Sequence, residues 1–351
     1  MKVLVTGGCG FLGSHVCEYY ARLGAQVISY DNMTKHELER AGFATEKARN
    51  HNYNFLSGLG VVLVTADIRN AEQLIDSATG CDYIVHTAAQ PAMTISVEDP
   101  ALDLSSNVTG TFNVLETARR LKVPVASCAT IHVYGNRINE ALTEGKIRYL
   151  RQPQTIGEDH PVLEGTLTPL HASKAGAELY VRTYIDTYGV TAASFRLTGI
   201  YGPRQFGGED HGWVANFAIR SVLGRPLTIY GTGKQVRDIV FAADVCRAFD
   251  AFYQKRVPGI YNIGGGPETA ISLLECIALL EKLNGEKPEV SFGPDRHGDL
   301  RYFVCDISKA RSVLGWSPEV KPEPGIRALL EWIRQNRKCF GFTTESKGSL
   351  S

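Results

Sequence analysis

The chain has 351 residues, 44% hydrophobic and 21% charged, with Lys+Arg and Asp+Glu both at 37 and a formal net charge of zero. That length suffices for one large α/β domain or two coupled lobes, and the composition is that of an ordinary globular protein. Balanced charge argues against nucleic acid or an anionic membrane as a partner, and no apolar run is long enough to span a bilayer.

In chain order, Lys2 to Thr6 (KVLVT) is a continuous apolar run, the pattern of a parallel strand covered on both faces. Gly8 to Gly24 carries apolar residues at helical spacing. Strands are expected at Ala25–Tyr30, Gly60–Thr65, Tyr83–Thr87, Pro124–Cys128 and Val190–Arg196, and helices at Asn107–Leu121 and His171–Tyr188. This alternation implies an α/β fold with a doubly wound parallel sheet, a Rossmann arrangement, joined by right-handed crossovers. Beyond Arg196 glycine and proline become frequent, which suggests a smaller C-terminal substrate-binding lobe. The expected division is 1–198, with strand contributions from about 236–263, then 199–338, and a frayed tail at 339–351. The start MKVLVTGG is already a strand and a turn, which leaves no room for a signal peptide. The cysteines, such as Cys17, Cys81, Cys246 and Cys276, lie in apolar stretches without CxxC or zinc spacing. They read as core residues of a cytoplasmic protein, and no metal is expected.

TGGCGFLG (Thr6 to Gly13) places Gly7, Gly10 and Gly13 between the first strand and the first helix. In that context Gly7 permits a tight turn, Gly10 lets a pyrophosphate approach the helix N-terminus, and Gly13 allows close packing of helix on sheet. Asp31 closes the second strand, where a carboxylate suits a ribose 2′-hydroxyl and repels a 2′-phosphate. NAD is therefore expected over NADP, with Lys35 the residue nearby that speaks for the phosphate. Asp67 and Ile68, after the third strand, fit an adenine-edge contact or a simple strand-end cap.

These motifs, with HTAAQ (His86 to Gln90), SNVTGTFNVLE (Ser106 to Glu116), VYG (Val133 to Gly135) and SK (Ser173, Lys174), resemble the extended short-chain dehydrogenase/reductases that epimerise or dehydrate nucleotide sugars. The resemblance continues through YGPRQF, HGWVANF, GTGKQVRD, YNIGGGPE and RHGD to about residue 335. RQF…HGWVANF and GKQVRD are most similar to the CDP-sugar 2-epimerases of that family. The resemblance implies NAD contacts from Gly7, Gly10, Phe11, Leu12, Gly13, Asp31, Asn32, Asp67, Ile68, Ala88 and Lys174. It implies a nucleotide-sugar substrate held by Gln90, Thr130, Arg204, Gln205, His211, Arg237, Arg296 and Asp299; read by themselves, Gln90 equally fits a cap on its loop, Arg237 and Arg296 surface salt bridges, and His211 core packing, while Asn107 reads as a structural fastener of the backbone near the fourth strand. Arginine suits the diphosphate because its guanidinium binds phosphate in bidentate fashion. It also implies a homodimer formed through helices 107–121 and 171–188, where Val108, Val114, Leu179 and Tyr184 are interface or core.

The family's chemistry is transient oxidation at a sugar carbon by NAD, with a tyrosine base four residues before the lysine. In this chain Lys174 and Thr130 match the lysine and the Ser/Thr, but the tyrosine position is Leu170 and the following residue is His171. Leucine has no proton to transfer, and such a transfer is worth about 10²–10⁴ in rate. His132, two residues after Thr130, and His171 are the candidate substitutes. The alternatives are altered redox or lyase chemistry on a nucleotide sugar, and a pseudoenzyme that binds NAD and a nucleotide sugar without turnover.

Overall fold

The computed structural model describes residues 1–34 and 45–341. Lys35 and residues 342–351 of the expected tail lie outside the described residues.

The chain opens as β1 (Lys2–Thr6), α1 (Phe11–Arg22) and β2 (Gln26–Asp31), followed by α2 (Thr45–Gly58), β3 (Val62–Thr65), α3 (Ala71–Ala78) and β4 (Tyr83–His86). Two short helices, α4 (Met93–Glu98) and α5 (Pro100–Leu104), run through one π turn at Ser105–Thr109 into α6 (Gly110–Leu121). Then come β5 (Val125–Thr130), the hairpin β6 (Leu142–Glu144) and β7 (Tyr149–Arg151), α7 (Pro169–Tyr188), β8 (Ala192–Leu197) and β9 (Gly199–Tyr201). The remainder comprises α8 (Trp213–Leu223), β10 (Leu227–Tyr230), β11 (Val236–Phe241), α9 (Ala242–Lys255), β12 (Gly259–Ile263) and β13 (Ala270–Ser272). It closes with α10 (Leu273–Asn284), β14 (Val290–Gly293), β15 (Tyr302–Phe303) and α11 (Pro322–Gln335).

Seven strands form one parallel sheet in the order β3-β2-β1-β4-β5-β8-β12. The order reverses between β1 and β4, and a sheet of this kind opens a crevice there, beyond the carboxyl ends of the strands. Successive side chains of β1 serve opposite faces. Val3 and Val5 pack in one cluster with Val16, Cys17 and Tyr20 of α1 and Phe249 of α9. Leu4 packs on the other side with Leu74 of α3, Val114 of α6 and Val181 of α7. Of the span 236–263, only β12 enters the large sheet. β11 pairs instead with β9, β13 and β15 in a smaller sheet.

The helix expected from Asn107 begins as an α-helix only at Gly110, and the helix expected from His171 begins at Pro169. Proline suits a first helical position because the N–H it lacks has no intrahelical partner there. Two residues offered as a possible interface are core. Val114 is buried, and Tyr184 is buried with its hydroxyl donating to Glu116 at 2.7 Å. Leu179 is exposed.

A buried ion pair fixes α7 on the sheet. Arg196 of β8 donates through Nη2 to Glu178 Oε1 at 2.6 Å and through Nε to Oε2 at 2.9 Å, while Nη1 donates to the Tyr134 hydroxyl at 2.8 Å. Both charges are almost fully buried, so removing one strands the other in a low dielectric. Glu178→Gln is expected to lower unfolding free energy by about 3–5 kcal/mol in urea titrations.

Asp238 of β11 is fully buried beside Arg237 and Cys305, and its Oδ2 accepts from the Gly266 N–H at 3.0 Å. Burial pushes its carboxyl up to about 7. The native state therefore holds this proton more tightly than the unfolded chain does. The stability it contributes is full below the ordinary carboxylate range and is lost as pH rises through about 7. Urea midpoints followed from acid pH up through that value are expected to fall less steeply for Asp238→Asn than for the parent.

Candidate active site

The turn from β1 into α1 closes on itself. Gly7 has a φ of +68°, and a Cβ there would lie 2.7 Å from the backbone nitrogen of Ala88. A Cβ on Gly13 would collide with the Gly7 carbonyl oxygen, so side chains are excluded at both ends. Gly10 is the N-cap and gives no side-chain cap, and the first turn of α1 holds no acid. The N–H groups of Phe11, Leu12 and Gly13 have no carbonyl within the helix to reach, so the positive end of α1 faces the crevice. A residue with no sequence signal supports the turn from α2: Asn52 Nδ2 donates to the Cys9 carbonyl at 3.0 Å.

Asp31 stands at the end of β2, oriented by the N–H groups of Cys9 at 2.9 Å and Met33 at 2.7 Å. Asn32 Nδ2 donates to Asp67 at 2.9 Å, which makes Asn32 a brace. Arg69, hydrogen-bonded to the Asp67 carboxyl, holds it down at about 2. Ile68 is buried and borders the same crevice as Asp31 and Ala88. A glycine-lined turn, an uncapped helix N-terminus and an acid closing β2 fit a dinucleotide, with pyrophosphate on α1 and ribose towards Asp31.

The crevice continues as a single cleft of about 1140 Å³ that runs past Thr130 and Leu170 to Arg237 and Arg296. At its centre Thr130 ends β5, and its Oγ1 accepts from the His132 N–H at 3.3 Å, which leaves the hydroxyl hydrogen to donate elsewhere. Leu170 is buried in the wall, its N–H donating to Ser96 Oγ at 3.2 Å. Lys174 follows one helical turn later. Burial lowers its pKa, while Cys128 and Asp103 act to raise it, and its Nζ makes no hydrogen bond among the described residues.

The two histidines divide sharply. His171 is fully buried; its Nδ1 accepts from the Thr168 N–H at 3.0 Å, and its Nε2 is sealed away without a partner. Neither nitrogen can reach a ligand, so His171 caps α7 and is not placed to act as a base. His132 packs edge-on to it, ring centroids 5.7 Å apart. His132 Nδ1 is sealed, whereas Nε2 stays accessible, and the residue lines the cleft. Burial, with smaller contributions from Arg237 and His171, pushes its imidazole down to about 3, so it is neutral under ordinary conditions.

Several expected substrate contacts are committed to the protein. Gln90 donates from Nε2 to the Ala92 carbonyl at 3.0 Å and to Asp103 at 2.8 Å, and its Oε1 accepts from the Ala92 N–H, so it caps the loop after β4. Asn107 supports the same loop, with Oδ1 accepting from the Gln90 N–H at 3.0 Å. Arg204 turns onto α1, donating to Ser14 at 3.1 Å and Glu18 at 2.6 Å. Gln205 Nε2 donates to the Ile200 carbonyl at 3.2 Å, and its Oε1 is buried.

Other residues do gather at the far half of the cleft. Arg237 donates to Asp299 at 3.2 Å, and the Arg296 guanidinium lies 4.2 Å from the Tyr230 ring centroid. His211 lines the cleft next to Gly212, which caps α8 with a φ of +65° and no side-chain hydrogen bond. The sequence reading missed this second uncapped helix N-terminus, whose signal was a glycine directly before an apolar helical run. Glu209 and Tyr230 also border this half, and no motif marks them; Gln235, inside GTGKQVRD, borders it too.

Residues 3–264 match the profile of the NAD dependent epimerase/dehydratase family. The chain is 33% identical over 345 residues to CDP-paratose 2-epimerase of Salmonella typhi, covering 95% of this chain and 99% of that one. The solved UDP-glucose 4-epimerase of Thermus thermophilus, a complex with NAD, superposes with a TM-score of 0.79 at 32% identity, covering 96% of this chain and 100% of the other. The UDP-glucuronic acid 4-epimerase of Bacillus cereus, with UDP-glucuronic acid and NAD, gives a TM-score of 0.80 at 26% identity, over 95% and 99% of the two chains.

Proposed function

The chain belongs to the NAD-dependent epimerase/dehydratase family, and from that premise we propose that it epimerises a nucleotide sugar, in the manner of a CDP-sugar 2-epimerase. We propose further that His132 does the proton transfer for which Leu170 is unfit. One observation carries the reading: two helix N-termini without side-chain caps, those of α1 and α8, border one cleft that Thr130 and His132 also line. The first suits a dinucleotide pyrophosphate. The second, with Arg237 and Arg296, suits the diphosphate of a sugar nucleotide.

NAD supplies a hydride acceptor and donor when bound. The chain's own residues orient the sugar and handle its hydroxyl proton. Thr130 donates its hydroxyl hydrogen to the reacting oxygen, and His132 Nε2 accepts the proton that leaves it. This requires the tautomer with its proton on Nδ1, the nitrogen facing inward. An imidazole held at about 3 is a weak base in the resting protein. A diphosphate beside Arg237 offsets one of the two charges that depress it, while burial, the larger cause, remains. Lys174, one helical turn after Leu170, is assigned to the nicotinamide ribose as in the family's pattern, with Cys128 and Asp103 acting to keep its ammonium charged against burial. Proton return by the same imidazole completes the cycle, so the residue ends as it began.

The surface of α6 and α7 carries an apolar strip suited to subunit association. Phe112 and Tyr180 are partly exposed, their rings 6.0 Å apart, and Leu104, Leu179 and Tyr188 extend the apolar strip. We propose a homodimer through this strip. Light scattering is expected to give the mass of two chains for the parent and of one chain for Phe112→Glu/Tyr180→Glu.

Turnover is tested by incubating the protein with CDP-, UDP-, GDP-, ADP- and dTDP-sugars in D2O and following the sugar protons. Inversion at one carbon without deuterium there is expected, and fastest with a CDP-sugar. Deuterium at the inverted carbon, or no change with any sugar while binding persists, would sink the proposal; the latter is the pseudoenzyme result. His132→Ala is expected to lower kcat by about 10²–10⁴ with KM little changed, and Leu170→Tyr to add little to the parent. Full activity in His132→Ala would remove that residue from the mechanism.

A further inference from the structure

The resemblance places Arg204 on the substrate, yet its side chain points away from the sugar-nucleotide half and grips α1. Its φ of +64° is unusual for a residue with a side chain, and the surroundings hold it there. Nε donates to Ser14 Oγ at 3.1 Å, and Ser14 Oγ donates in turn to the Phe11 carbonyl at 2.8 Å. Phe11 is the first residue of α1, so this relay ends at the turn that faces the pyrophosphate. Nη2 donates to Glu18 at 2.6 Å, and the guanidinium lies 4.4 Å from the ring centroid of Phe55 in α2. One residue earlier, the Pro203 carbonyl accepts from His15 Nε2 at 2.7 Å. Ser14, His15 and Glu18 of α1 are thus tied to a single loop.

The same loop leads into the other half of the cleft. Phe206 packs against Trp332 and Phe340, ring centroids 5.6 and 5.2 Å away, and Gln205 lies against the Gly212 cap of α8. α2 supports the assembly from beneath, since Asn52 holds the glycine-rich turn and Phe55 carries the Arg204 guanidinium. We infer that Arg204 is a positioning residue that locks the first turn of α1 for the dinucleotide, and that the loop Pro203–Phe206 thereby makes cofactor retention depend on the C-terminal half of the chain. The inference rests on the dinucleotide reading of the glycine-rich turn and is independent of which sugar is turned over.

The test is the rate at which bound NADH is displaced by excess NAD, followed by fluorescence, in full-length Arg204→Met, Arg204→Lys, Glu18→Gln and the double variant Glu18→Gln/Arg204→Met. Release is expected to be about tenfold faster in Arg204→Met, within the range usual for coupled sites, and partly restored in Arg204→Lys. The double variant is expected to release no faster than Arg204→Met, because both changes break one contact. The melting temperature of the NAD-free proteins is measured alongside. A merely structural contact would lower that temperature in the variants and leave release unchanged, which would overturn the inference. Should Arg204→Met fail to fold, Arg204→Lys and Glu18→Gln still decide it, and parental release rates in both overturn it. A parent that binds no NADH would overturn the cofactor reading together with this one.

Discussion

The architecture of the site depends on a backbone contact that leaves no room for a side chain. The Gly7 carbonyl lies where a Cβ of residue 13 would sit, and Gly7 itself lies against the backbone of Ala88 just beyond β4. This double approach brings the N-terminus of α1 to the point where the sheet reverses its strand order. Elsewhere the crevice is walled by side chains that can adjust. Here only the absence of Cβ atoms lets helix, turn and neighbouring strand meet, so an anion can rest on bare amides in a low-dielectric groove.

Around that fixed point the protein has put polar groups to structural use more often than their motifs suggest. Gln90, Asn32, Arg204 and His171 all carry hydrogen-bonding capacity into the neighbourhood of the cleft, and all direct it to the chain itself. The physical reason is shared. A loop buried at the carboxyl edge of a sheet must satisfy its backbone N–H and carbonyl groups, and side-chain amides and rings are the nearest partners. What the cleft offers a ligand includes two helix ends, the Asp31 carboxyl, the Thr130 hydroxyl, the His132 imidazole, and the N–H groups of Arg237 and Arg296 that the chain does not itself use.

The leucine at 170 makes that short inventory consequential. A phenol there would have stood one turn from Lys174, in the field of its charge. With an apolar side chain instead, the cleft wall at this position is hydrophobic, and Lys174 is not among the residues that line the cleft. His132 lines the same cleft and is poised by different means, since burial and positive neighbours suppress its charge in the resting state.

Sequence alone determined the alternation of β1, α1 and β2, the glycine spacing, the acid at Asp31 and a leucine, with no proton to transfer, at position 170. Each of these is local: an apolar run, a steric requirement or the chemistry of one side chain is readable without its neighbours. Tertiary structure decided which strand filled the seventh position of the sheet, because β11 and β12 are similar apolar runs and only pairing separates them. It also separated His132 from His171, Arg204 from Arg237, and Val114 from Leu179. In each pair residue type and motif were alike, and the outcome turned on which partners the fold brought within hydrogen-bonding distance or left in solvent, a property of packing that no spacing along the chain encodes.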